Sequence, residues 1–474
     1  RLLEFFYETP VLERLEDYTK NLVIGRKGTG KTALYKYLSN KYNDNVVELF
    51  FTSYPWKLHD KFKNNIVSER ESYRNSWEFL FYIEFFKKLI LHLNDIQNKK
   101  IKKSLKKISK WLKKNWGSTH FNFKEVLTPK KTKYLWSFAP QVLGCSLGSI
   151  SRDIENSDNV GNTISEYNKK FDIIMNEIFP YINKPIILLF DELDLAYSSD
   201  DDNYTTRLIG ILLALYSFHG KYEKKFRVYV FLRNDIFNSL QFQDKRKLKD
   251  NITLFLDWDA QNIESDLSLK QVAANRIKVC TGQSSNNFQR NWEHIFENSY
   301  IGKKQLLWNF FIERSFIRPR DLIKFLNLAL AKAKLRLKNK PESIDKIIND
   351  DIHGIRDEYS RYLFDELTDE IHSKYKDFNN YLEILRDIHH VKFTKEQFHE
   401  SYKKIINRLS LPEETVVLER LYEFGIIGFY KPGGKGKGGA TYTFQFSSEY
   451  QNMNVVAEKY MIHYGFKEFL ELIE

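Results

Sequence analysis

Gly25-Arg26-Lys27-Gly28-Thr29-Gly30-Lys31-Thr32 matches the pattern G-x-x-x-x-G-K-[ST] at every fixed position. Each part of the pattern has a chemical reason. Glycines let the backbone wrap phosphate oxygens and turn its N–H groups inward, and a helix starting near Lys31 adds the positive end of its dipole. Lys31 would reach the β- and γ-phosphates of a nucleoside triphosphate, and the Thr32 hydroxyl would hold Mg²⁺. Gly25, Lys27, Gly28, Thr29, Gly30 and Ala33 complete the candidate phosphate cradle. Further along, "KPIILLFDELD" (Lys184–Asp194) runs through apolar Ile186–Phe190 into Asp191-Glu192. Asp191 would hold Mg²⁺ through water, and Glu192 would orient or deprotonate an attacking water. A glutamate there points to hydrolysis rather than binding alone. A third stretch, "FRVYVFLRNDIF" (Phe226–Phe237), ends in Arg233-Asn234-Asp235. These polar groups would sense a γ-phosphate, and Arg233 equally suits a structural ion pair.

These residues need particular elements beneath them. Leu22-Val23-Ile24 reads as the strand before the glycine loop, and Ala33–Ser39 as the helix after it. The unbroken apolar run Ile186–Phe190 suits a strand buried on both faces of a parallel sheet. Its acids then stand at the strand's C-terminal end, where ligands bind in open α/β sheets. The expected fold is α/β, with a three-layer αβα core.

A chain of 474 residues implies two or three domains. With 42% apolar and 29% charged residues it has the composition of a globular protein. No apolar run reaches the roughly 18–20 residues that cross a bilayer. Cys145 and Cys280 form neither a disulfide framework nor a metal pattern, which fits a cytoplasmic protein. The chain begins at Arg1, so a native start is expected upstream, with room for a signal or a further domain. The formal net charge is +12, and the stretch Lys99–Lys133, with thirteen lysines and the single acid Glu125, accounts for all of it. Such concentration suggests an acidic partner, nucleic acid above all.

Within that stretch Ile101, Leu105, Ile108, Leu112 and Trp116 recur at helical spacing among lysines, predicting an amphipathic basic helix over Asp95–Trp116. Trp111, Trp116, Phe121 and Phe123 interleave aromatics with the charge, as in proteins that bind single strands. The same pattern suits an anionic membrane surface or a solvated packing helix. The acidic loop Ser198–Asn203 would repel anions or do nothing. Near the C-terminus, Pro341–Arg361 reads as a mixed polar connection. Helices are expected over Asn379–His390, Thr394–Ile406 and Pro412–Gly425. Strands Ile426–Lys431 and Thr441–Phe446, joined by "PGGKGKGGA", predict a hairpin. Its loop carries Lys435 and Lys437, suited to DNA phosphates. The helix before it holds Glu413, Glu414, Glu419 and Glu423 against Arg420, a poor face for a polyanion, so a protein-docking role is equally open. His389 and His390 read as helix-end residues rather than metal ligands.

Taken together, the order of parts resembles the AAA+ ATPases of the origin-recognition and STAND (signal-transducing NTPase) type. The resemblance implies a P-loop core over 1–262 with a lysine-rich insertion near 95–165, a helical lid over 263–340, a helical connection over 341–375 and a winged helix over 376–474. It places a possible arginine finger at Arg246 within "SLQFQDKRKLKDNITLFLDW", Arg276 in a lid helix, and a sensor-2 arginine at Arg320 within "FIRPRDLIKFLNLALAKA". An arginine acting between subunits would make hydrolysis depend on assembly; Arg246 also fits a solvated basic helix. More narrowly, "YPWKLH" (Tyr54–His59), the segment around Trp77, "FLRNDIF" and "IRPRDLI" resemble a bacterial P-loop ATPase family whose members often sit near antiphage defence genes. The implied cofactors are ATP and Mg²⁺; no N-K-x-D guanine-reading segment is present. The implied activity is ATP hydrolysis coupled to assembly or to engagement of nucleic acid or an effector, with a homo-oligomer or an effector protein as partner. The alternative is a slow-turnover nucleotide switch that regulates a partner protein without touching nucleic acid.

Overall fold

A computed structural model describes residues 3–51, 56–60, 67–93, 96–127, 160–193, 203–302, 304–433, 441–447, 453–454 and 456–474. The chain divides into two compact units, Glu8–Asp257 and Trp258–Glu474, the latter taking in Leu3–Tyr7.

The first unit runs α1 (Val11–Glu16), β1 (Leu22–Gly25), α2 (Lys31–Tyr42), β2 (Val46–Phe50), α3 (Trp56–His59), α4 (Glu69–Leu91), α5 (Lys99–Trp116), α6 (Val160–Ile178), β3 (Ile186–Asp191), α7 (Tyr204–Phe218), β4 (Phe226–Arg233), α8 (Asn234–Ser239), α9 (Lys245–Ile252) and β5 (Thr253–Phe255). Its five strands form one parallel sheet in the order β2-β3-β4-β1-β5. Every residue of β1 and β3 is buried, as unbroken apolar runs require. Helices cover both faces. Phe190 of β3 packs against Trp77 and Phe81 of α4, while Tyr35 of α2 packs against Phe50 and Phe231. Phe190 is in register with Val230, so Phe190 and Phe231 point to opposite sides of the sheet. This unit is α/β, compatible with a three-layer core. Its strand β5 has no sequence signal, being three residues long.

Helix α5 starts at Lys99, after an Asn98 cap that accepts from the N–H groups of Lys100 and Ile101, and ends at Gly117 in left-handed backbone (φ +83°). Its apolar stripe packs onto the core as the periodicity predicts. The interleaved aromatics do not face outward, however. Trp111 lies 5.6 Å from Tyr167 and 5.7 Å from Phe171 of α6, Trp116 stacks on Phe121 at 5.0 Å, and Phe123 meets Phe51 and Phe190. The expectation of a stacking platform is therefore corrected. Burying rings of this size outweighs leaving them in water.

The second unit runs α10 (Leu269–Thr281), α11 (Phe288–Ile295), a hairpin of β6 (Tyr300–Ile301) and β7 (Gln305–Leu306), α12 (Leu307–Ile312), α13 (Pro319–Asn339), α14 (Asn349–His353), α15 (Arg356–Lys374), α16 (Asn379–Ile388), β8 (Lys392–Thr394), α17 (Lys395–Ile406), α18 (Glu414–Glu423), β9 (Ile427–Lys431), β10 (Thr441–Thr443) and β11 (Lys459–Ile462). β9 and β10 pair as the alternation predicts, within a four-stranded antiparallel sheet ordered β10-β9-β11-β8. Pro341–Arg361 is more ordered than a polar connection: α14 and the start of α15 lie inside it. Its polar residues serve as ties, because the Asp351 carboxylate accepts from the Ile348 N–H and from Arg336. Pro319 opens α13 at a position where its missing N–H costs nothing. His389 ends α16 in left-handed backbone (φ +61°), a helix-end role.

Candidate phosphate-binding site

β1 ends at Gly25 and α2 begins at Lys31, so the glycine loop spans the turn between a buried strand and a helix N-terminus. Gly28 (φ +86°) and Gly30 (φ +102°) occupy left-handed backbone, where a side chain would be strained. At Gly25 the limit is space: a Cβ would collide with Thr29 Oγ1 and come 3.1 Å from Leu256 Cβ. Thr29 braces the turn by donating its hydroxyl to the Arg26 carbonyl at 2.8 Å. Lys31 Nζ donates to the carbonyls of Gly25 (2.7 Å) and Arg26 (3.1 Å). Lys27 is half-buried in the loop, while Thr32, exposed, and Ala33, half-buried, stand in the first turn of α2.

Strand register brings the other candidates to the same edge. Gly25 is level with Arg233 across the β1–β4 pair, and Asp191 is level with Phe50 across β3–β2. Asp191 is buried, and its Oδ1 accepts from the Glu192 N–H at 2.9 Å. Glu192 has φ +63°, a strained conformation for a residue with a side chain. The next residue is anchored: Tyr204 at the start of α7 donates its hydroxyl to the Leu193 carbonyl at 3.2 Å. The Tyr35 hydroxyl of α2 is buried close enough to feel this acidic corner. Burial first, then the charges of Glu48, Asp191 and Glu192, push its pKa well above the ordinary value. Tyr35 and Tyr204 escape sequence reading, because an aromatic in a helix carries no mark of what its hydroxyl meets.

Arg233 pairs with Asp235 through two hydrogen bonds, of 3.0 and 2.8 Å. Asn234 is buried, and its Oδ1 accepts from Asn238 Nδ2 at 3.3 Å. Arg246 on α9 is 92% exposed, 3.7 Å from Asp250 one helical turn on. In the second unit Arg276 lies over the Phe5 ring at 4.7 Å. Of the two arginines in "IRPRD", Arg318 is buried and bound to Asp321 at 2.6 Å, whereas Arg320, 44% exposed, pairs with Glu366.

Among the described residues no cluster of three or more His, Cys, Asp or Glu gathers to hold a metal by protein ligands alone. Thr32 and Asp191 offer a hydroxyl and a carboxylate, the hard oxygen donor types that a magnesium ion takes alongside phosphate oxygens and water. "YPWKLH" is described from Trp56 onward. His59 is fully buried with Nε2 2.6 Å from Ser76 Oγ, beside an Asp60–Arg207 ion pair, and Trp77 donates to the Arg207 carbonyl at 3.0 Å. It is a packed polar core, not an open site.

Lys99–Lys124 fall within the described residues, whereas Lys130, Lys131 and Lys133 lie outside them, as do Cys145, Asp194, Ser198–Asp202 and Lys435 and Lys437 of the hairpin loop. On α18, Glu423 receives Lys374 and Tyr375, and Glu414 meets His399. Cys280 is exposed and free. Among the described residues no helix is long and apolar enough to cross a membrane.

Residues 267–368 match a family described as the FunZ-associated C-terminal helical domain. Over 463 residues the chain is 23% identical to a transposon gamma-delta 80.3 kDa protein of Escherichia coli (strain K12). The alignment takes in 93% of this chain and 60% of that protein, so the chain spans about three fifths of the length of the relative it matches.

Proposed function

We propose that this chain is an ATPase of the AAA+/STAND kind, with the Gly25–Thr32 loop as its phosphate cradle. The observation that carries the reading is the shared edge: the glycine loop, Asp191-Glu192 and Arg233-Asn234 all end strands of one parallel sheet, with β4 between β1 and β3. In this reading the loop and Lys31 bind the phosphates, and Thr32 and Asp191 hold Mg²⁺, which would neutralise phosphate charge. Glu192 takes a proton from the attacking water. Asn234 and Arg233 report the γ-phosphate, Arg233 by leaving Asp235. Arg246 stands in water, as an arginine acting on a neighbouring copy would, so assembly would complete the site. The resemblance gives Arg320 the sensor-2 role, in which its pair with Glu366 would have to open. The helices after Trp258 would then be the lid, and α16–β11 a winged helix.

A slow-turnover switch is the second reading, favoured by the Arg233–Asp235 ion pair, which would have to open before Arg233 could meet a phosphate. We place the protein in the cytoplasm, acting on nucleic acid or on an effector protein, in bacterial defence as the resemblance implies. The test is Asp191→Asn, which preserves size and removes the charge. It should abolish the gain in ATP affinity that Mg²⁺ brings, leaving metal-free binding in place. ATP binding indifferent to Mg²⁺ in both proteins contradicts the reading.

A further inference from the structure

The basic helix α5 has two faces, and the structure accounts fully for one of them. Ile101, Leu105, Ile108 and Leu112 are each 2% exposed or less. Trp111 is buried as well, and Trp116 donates its indole N–H to the Glu125 carbonyl at 3.0 Å. No apolar face remains to enter a bilayer, and no ring of this helix is free to stack on a base.

What points outward is ammonium. Lys103, Lys106, Lys110 and Lys113 are exposed, and the chain has no acid between Asp95 and Glu125. Lys102, Lys106, Lys110 and Lys114 form one i,i+4 row, with Lys103 and Lys107 in another, each a like-charge neighbour that destabilises a helix. The first turn carries Lys99 and Lys100 and no acid, against the helix dipole. A face kept merely soluble would intersperse both signs, as α15 does with its mixed Arg, Asp and Glu. Local rules broken this consistently mark a functional surface.

We propose that the outer face of α5 docks double-stranded nucleic acid, its lysines meeting phosphates without reading bases. From Lys99 to Lys114 the helix is about 22 Å long, a length over which a duplex carries about 13 phosphate charges. Lysine is a mobile point charge and suits such sequence-blind contact. The inference deepens the nucleic-acid part of the proposed function and stands independently of ATP binding.

The test is titration of the full chain against a fluorescent duplex of about 30 base pairs at several salt concentrations, a length that spans the helix. Wild type should bind with a steep negative slope of log K against log salt. Gln at Lys103, Lys106, Lys110 and Lys113 together should make that slope shallower by about 3–4 and weaken binding at least about tenfold near 0.1 M salt. Arg at the same positions should restore both. A Gln variant with the wild-type slope overturns the proposal, as does capture by phosphatidylserine vesicles with no duplex binding. ATP affinity measured on the same proteins separates the two readings: duplex binding lost with ATP binding intact assigns the defect to α5.

Discussion

Lys31 Nζ lies 2.7 Å from the Gly25 carbonyl, so the ammonium that would meet phosphate closes the loop on itself. Exchanging carbonyl partners for phosphate oxygens replaces neutral acceptors by charged ones, which strengthens each bond. Lys31→Ala should weaken ATP binding by about 10- to 150-fold, the equivalent of about 1.5–3 kcal/mol for a charge-assisted hydrogen bond. Titration calorimetry measures it, and unchanged affinity would remove Lys31 from the site.

Glu192 holds φ +63° at the end of β3. If that strain serves catalysis, relieving it should help the fold and harm the chemistry. Glu192→Gly should leave stability unchanged or raise it by up to about 1 kcal/mol, with turnover lost. A Glu192→Gly protein destabilised by more than about 1 kcal/mol in denaturant unfolding would show that the side chain supports the fold instead.

Trp116→Ala should destabilise the first unit by about 3–5 kcal/mol, the cost of emptying a packed aromatic site. Lys110→Gln, on the opposite face of the same helix, should change stability by no more than about 0.5 kcal/mol. A Trp116→Ala protein of normal stability would reopen the stacking platform that the buried rings argue against.

Two buried histidines should make the protein lose stability in acid. Burial brings both His59 and His463 down to about 3, from an ordinary value of 6.5. For His463 the nearby Arg314 and Arg318 add to the effect, against the Ser315 hydrogen bond. Its ring is neutral: Nδ1 accepts from the Gly465 N–H and Nε2 donates to the Ser315 carbonyl. Because the folded values lie below the unfolded ones, the unfolded chain binds more protons between pH 6.5 and 3. Stability therefore falls as pH falls through that window, by at most about 1.4 kcal/mol per pH unit for each histidine. His463→Gln, weaker at pH 7, should show a flatter fall. An identical slope in both proteins would mean that His463 is not what titrates.

What was legible in the sequence was whatever repeats over enough residues. Ile186–Phe190 is an unbroken apolar run, so its strand and the acid-bearing end could be read, and Ile101 to Leu112 gave α5 its buried stripe. Short strands were not legible: Thr253–Phe255, Lys392–Thr394 and Lys459–Ile462 are too brief to show a period and owe their existence to partners far along the chain. The aromatics of α5 misled because a ring among lysines looks the same in sequence whether it faces water or the core. In the sequence alone Arg233 fits two roles, a γ-phosphate sensor or a structural ion pair. The structure supplies the partner, Asp235, two residues on.

Hydrolysis at Glu192 is tested most directly by phosphate release from wild type and Glu192→Gln with Mg²⁺·ATP, at matched nucleotide occupancy. A catalytic Glu192 requires release by wild type, and a Glu192→Gln protein that binds ATP and keeps it unhydrolysed. Equal release by both proteins, or no ATP bound by either, would contradict an ATP-hydrolysing site at Glu192.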